Sequence, residues 1–138
     1  MPSLEVIHII DYLDKADQRI SALRALVSPE QLLDLARSYN WDDGITVPKA
    51  ISDHPACDLG LALHLFELAE GTVFLSSPER DWSYQREWAE FCRVLSERIL
   101  SGHYTTATVP FVSEFSPVQC RKLRRQGIPE VFFSPLAT

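Results

Sequence analysis

The 138-residue sequence predicts a mainly α fold, about six helices in one compact domain over residues 1–138, with a short two-stranded β element near the carboxyl end. Three observations predict it. Apolar residues recur at helical spacing along most of the chain. The helix-start pattern Ser-Pro-x-Gln occurs twice, at 28–31 and 116–119. Strand-forming runs are confined to 105–112 and 131–133.

Leu4, Ile7, Ile10 and Leu13 repeat every three residues, and the pattern resumes at Ile20, Leu23, Leu26 and Val27 after a charged interruption at 14–17. One bent helix or two short ones satisfy it. Ser28 then suits an N-cap, Pro29 the first turn, and Gln31 the returning half of a capping box. Leu32, Leu33, Leu35, Ala36 and Tyr39 supply that helix's buried face. Residues 40–44 read as a turn, in which Gly44 takes a positive φ and the Asp42 and Asp43 side chains hold neighbouring amides. A short helix over 48–53 stops before Pro55. Asp58 is the expected cap of a helix over 59–70, with Gly71 its terminator. Apolar on most sides, that helix should be central.

After a loop at 76–78, a long amphipathic helix opens at Glu79 or Asp81 and ends at Gly102. It turns Trp82, Trp88, Phe91, Val94, Leu95, Ile99 and Leu100 inward. Residues 105–112 form a short strand, which Pro110 places at an edge. Ser116 opens a last helix to Gln126, closed by Gly127 and Pro129, and residues 131–133 pair with 105–112.

Thirteen basic and nineteen acidic side chains give a formal charge of −6, which argues against nucleic acid and favours a basic partner. The charge is uneven. Residues 117–138 hold four basic groups and one acid, +3, whereas the remaining chain holds nine and eighteen, −9. With 46 % hydrophobic residues, a core forms without disulfides or a structural metal. Cys57, Cys92 and Cys120 are too few and too widely spaced for a disulfide framework or a zinc set, and no cofactor is expected. Neither a leader pattern nor an apolar run of roughly 20 residues is present, so a cytoplasmic protein with no membrane partner is expected.

Four clusters are candidates for function. Asp42 and Asp43 could serve as acid and base, or hold a cation, although turn chemistry also explains them. His54, Cys57 and Asp58, with His64 on the next helix, offer metal ligands or a Cys–His nucleophile. There a helix amino terminus would lower the Cys57 pKa. Buried packing is the plainer account of the thiol. Trp82, Tyr84 and Trp88 lie among Arg80, Asp81, Arg86 and Glu87 as interface aromatics do, yet helical spacing assigns this region to the core. Arg121, Lys122, Arg124 and Arg125 complement a helix carboxyl end and could dock on an acidic surface. No P-loop, dinucleotide fingerprint, His-Glu-x-x-His pair or nucleophile elbow occurs.

The run Tyr39-Asn40-Trp41-Asp42-Asp43-Gly44, followed by Pro48, Ile51, Pro55, Cys57-Asp58, Gly60, Ala62-Leu63 and Phe66, resembles the bacterial domain-of-unknown-function family four-two-seven-four. The likeness is strong over 28–75 and looser to 116–119, a family-like core of 28–126 that leaves 1–27 outside. It implies a bacterial source and a structural motif of Tyr39, Asn40, Trp41, Gly44, Cys57 and Asp58. It carries over no activity, cofactor or catalytic residue.

The function expected is therefore a cytoplasmic protein-binding module, by analogy of class an immunity protein that occludes a basic secreted toxin. Asp42, Asp43, Asp53, Glu79 and Asp81 are the expected contact acids. The alternative is a small metal-binding or hydrolytic enzyme on Asp42, Asp43, His54, Cys57 and Asp58. A third reading is self-assembly, with the basic helix docked on the acidic body.

Overall fold

The computed structural model describes residues 3–13, 15–104 and 108–135. Among these residues stand eight α-helices and no strand: α1 (Leu4–Ile7), α2 (Ala16–Leu23), α3 (Pro29–Ser38), α4 (Thr46–Asp53), α5 (Leu59–Leu68), α6 (Gly71–Ser76), α7 (Arg86–Leu100) and α8 (Pro117–Arg125). The fold is mainly α, as the periodicity predicts, with two more helices than expected.

The amino-terminal pattern resolves into two short helices. α1 runs into a π turn at His8–Tyr12, and Leu13 leaves the helix with φ −109° and ψ 116°. Carbonyls at that helix end need outside donors. Arg19 on α2 supplies them, reaching Leu13 O at 2.6 Å and Ile10 O at 3.3 Å. Ser28 caps α3 by accepting from Gln31 N (3.2 Å), but Gln31 Oε1 accepts from Val27 N, one residue earlier than a capping box requires. α8 carries the full box between Ser116 and Gln119.

α5 is central, packed against α3, α4, α6 and α7. Gly60, Leu61, Ala62, Leu63, Leu65 and Phe66 are all buried. Its cap does more than start the helix. Asp58, only 5 % exposed, accepts from Leu61 N through Oδ1 (2.8 Å) and from Thr108 N (2.5 Å) and Val109 N (3.3 Å) through Oδ2. Gly60 admits the second segment, since a Cβ there would lie 1.8 Å from Val109 O.

Two expectations about chain punctuation are corrected. Gly71 does not terminate α5: Glu70 takes the left-handed conformation (φ 58°), and Gly71 begins α6. Glycine is required there by packing, because a Cβ would meet the Phe66 ring at 2.3 Å. The long helix opens at Arg86, after a 3-10 turn at Ser83–Gln85, so Glu79 and Asp81 precede it. Phe91, Leu95 and Ile99 are buried along it, whereas Leu100 is 55 % exposed.

The expected β element is also corrected. Of the first strand, residues 105–107 lie outside the described residues, and 108–112 contain only bends and one isolated bridge at Phe111. Here the Thr108 and Val109 amides are held by Asp58 rather than by a neighbouring strand. Val131 and Phe132 fall in a 3-10 turn (Glu130–Phe132), with Phe133 its C-cap; the turn packs on α5 and sets Phe132 against Phe66 with centroids 4.6 Å apart. Burial of the two phenylalanines outweighs their strand propensity.

Asp58→Asn should destabilise the protein about as much as Asp58→Ala, roughly 2–4 kcal/mol in urea unfolding, because the introduced NH2 would face an amide donor. Gly60→Ala should lower stability by about 2 kcal/mol or more despite a helix-propensity gain of about 1 kcal/mol. A rise in midpoint would show that 108–109 does not press on α5.

Candidate functional site: a groove beside the Trp41–Gly44 turn

Residues 39–44 form a self-bonded unit between α3 and α4. The buried Tyr39 donates its hydroxyl to Gly44 O (3.0 Å), Asn40 Oδ1 accepts from Asp42 N (3.1 Å), and Trp41 Nε1 donates to Ala36 O (3.0 Å). It is therefore Asn40, and not the Asp pair, that holds the turn amide. Trp41 meets Tyr39 and Phe91 edge-on, each at 6.3 Å. Gly44 has φ 111°, which excludes most other residues. Burial raises the Tyr39 pKa, with Asp43 adding to the rise and Arg19 opposing it.

The turn separates its two carboxylates by partner. Asp43 pairs with Arg19 at 3.6 Å and so fastens the turn to α2. Asp42 is exposed, and its carboxylate has no partner among the described residues. Beside it lies a groove of about 630 Å³ between the turn, the end of α5 and the start of α7. Trp88 Nε1 donates to Ala69 O (2.6 Å) and closes the floor. Trp82 and Phe74 brace Trp88 at 5.1 and 6.3 Å. Tyr84, which is 100 % exposed, and Leu68, 38 % exposed on α5, line the same groove. Asp42, Glu70 and Glu87 line the groove without ion pairs among the described residues, and Arg86 is its cation.

A family model described as Domain of unknown function (DUF4274) matches residues 27–100, more than half of the chain. The chain belongs to that family. The matched region contains the turn, α3 to α7 and the whole groove, while α1, α2 and α8 fall outside it. Neither a curated protein nor a solved structure matches the chain.

Of the five acids expected at a contact surface, Asp42 lines the groove and Glu79 is exposed without a partner among the described residues. The other three have local duties. Asp43 holds Arg19, Asp53 takes a 2.7 Å bond from Arg98 that ties α4 to α7, and Asp81 accepts from Ser83 N (2.9 Å), which lowers its pKa. Glu70 and Leu68 are not singled out by the sequence, and Glu87 only as one of the charges around the aromatics. Tyr84 is singled out, as an aromatic amid charges, and the structure puts it outside the core.

The second cluster is bound up in the DUF4274 scaffold. Asp58 serves three amides, His54 Nδ1 accepts from Ala56 N (2.9 Å), and His64 Nε2 meets Pro110 O (2.9 Å). Cys57 is not activated by the helix start. Burial pushes its pKa up to about 12, with Asp58 raising it further and Arg98 opposing. Among the described residues no group of three or more His, Cys, Asp or Glu could hold a metal ion, and no helix is long and apolar enough to cross a membrane. In α8, Arg124 bonds Glu130 and lies over Phe133 at 5.3 Å; Arg121, Lys122 and Arg125 are exposed.

In the native protein at pH 8, Cys57 and the buried Cys92, whose pKa is likewise pushed up to about 12, should resist alkylation. With thiolate fractions near 10⁻⁴ at that pH (~4 units below the pKa), both should react only after unfolding in urea. Rapid native labelling of Cys57, read by mass spectrometry, would contradict the burial argument.

Proposed function

We propose that this DUF4274 chain is a cytoplasmic protein-binding module that takes a basic protein partner in the groove beside its Trp41–Gly44 turn. By class, the role that fits is an immunity protein masking a basic secreted toxin. One observation carries the reading: a wholly exposed Tyr84 lines one groove together with the unpaired carboxylates of Asp42, Glu70 and Glu87. An exposed tyrosine gives large contact area with few rotamers to freeze, and such aromatics dominate binding energy at protein interfaces. The free acids steer a basic partner and set salt sensitivity. Occlusion needs no catalysis.

The alternative of a metal-binding or hydrolytic enzyme has less behind it. Its candidate nucleophile is a half-buried thiol whose pKa is pushed up, and its carboxylate Asp58 already accepts three backbone amides.

A tagged chain incubated with lysate of its own bacterium at low ionic strength should retain a stoichiometric basic protein and release it at high salt. Tyr84→Ala should weaken that complex by about 2 kcal/mol, roughly thirtyfold, whereas Glu79→Ala should change it little. Retention unaffected by Tyr84→Ala would remove the groove from the account, and an empty bait would remove the partner.

A further inference from the structure

α8 has no place in the reading above, and its charge is opposite to that of the groove. Arg121, Lys122 and Arg125 are exposed with no ion pair among the described residues, and no acid lies on this helix. Val118, also on α8, is 65 % exposed. The groove supplies what this helix lacks: three unpaired carboxylates and an exposed aromatic.

The two surfaces are one short helix apart. Glu70 immediately precedes α6, and Ser76 at the other end of α6 donates to Gln126, just past α8 (3.2 Å). Six helical residues span only about 9 Å. Among the described residues no ion pair joins α8 to the groove within the chain. Two neighbouring, complementary patches that do not satisfy each other internally can do so across a two-fold axis, each patch meeting its opposite on the other copy.

We propose that the chain forms a reciprocal two-fold dimer in which α8 of each copy docks in the groove of the other. Arg121, Lys122 and Arg125 face Asp42, Glu70 and Glu87 of the second copy, and Val118 and the guanidinium groups pack on Tyr84. The dimer rests on the groove reading, since α8 stands in for the basic partner. Its consequence is regulatory: a dimer has its groove closed, and the partner must displace a second copy to bind. α8 lies outside the matched region 27–100.

Sedimentation equilibrium on the purified chain tests it. At about 0.02 M salt the protein should dimerise, and at about 0.5 M the dissociation constant should rise at least roughly tenfold. The reversal R121E/K122E/R125E should give a monomer, as should D42K/E87K. Combining all five substitutions should restore the dimer, and circular dichroism melts show whether each variant is folded. A wild-type monomer throughout at low salt, a dimer that ignores either reversal, or a combined variant no tighter than its parents would overturn the proposal. A monomer that still captures a basic protein through Tyr84 would remove the dimer and leave the groove reading standing. A salt-sensitive dimer restored by the combined reversal, in a chain that captures nothing, would do the converse.

Discussion

The Asp58 carboxylate joins two stretches of chain fifty residues apart, and the rest of the arrangement depends on it. One oxygen starts the central helix and the other holds the 108–109 backbone against that helix. Left without these donors, a buried carboxylate would be costly to desolvate; left without the carboxylate, so would the amides. Each side therefore requires the other. The crossing segment gains two further ties, Tyr104 Oη to Ser52 O (3.0 Å) and His64 Nε2 to Pro110 O (2.9 Å). Because a carbonyl only accepts, His64 must present Nε2–H there. Side-chain bonds to backbone thus replace the ladder that a strand pair would have supplied.

That frame fixes the groove. α5 is held at its start by Asp58 and at its end by Trp88, whose indole reaches Ala69 O. α7 is consequently pinned to α5 at its first turn, and the Arg98–Asp53 bond pins it to α4 three turns later. The Trp41–Gly44 turn enters the same assembly through Trp41 on Phe91. With floor and both walls attached to buried elements, the groove has a rigid frame, although the Tyr84 that lines it is fully exposed. A rigid frame is what lets a groove bind without a large ordering cost.

What could be read from the sequence was what neighbours in the chain decide. Ser28, Asp58 and Ser116 act on amides three residues away, so their caps are visible in the local pattern, and α5 declares its centrality by being apolar on most sides. Most misreadings involve a partner that the local pattern does not show. Gly71 was selected by the Phe66 ring and not by a helix end, and the 108–112 segment pairs with a carboxylate and not a strand. Asp43 and Asp53 look free in sequence because Arg19 and Arg98 lie 24 and 45 positions away. Tyr84 stands out in the sequence for its charged setting, but the spacing that assigns its region to the core presumes a helix that starts only at Arg86.

The division of the acids into paired and unpaired explains how one acidic surface can serve stability and recognition separately. Exposed networks such as Glu90–Arg93–Glu97 add little to folding, and salt screens them further. The terms that hold the fold are the core and the buried bonds of Asp58 and Tyr104, which ionic strength hardly reaches. Asp42, Glu70 and Glu87 contribute nothing to those terms, so their charge is available for a partner at no cost to the native state. Salt therefore acts on what the groove binds while leaving the groove itself intact.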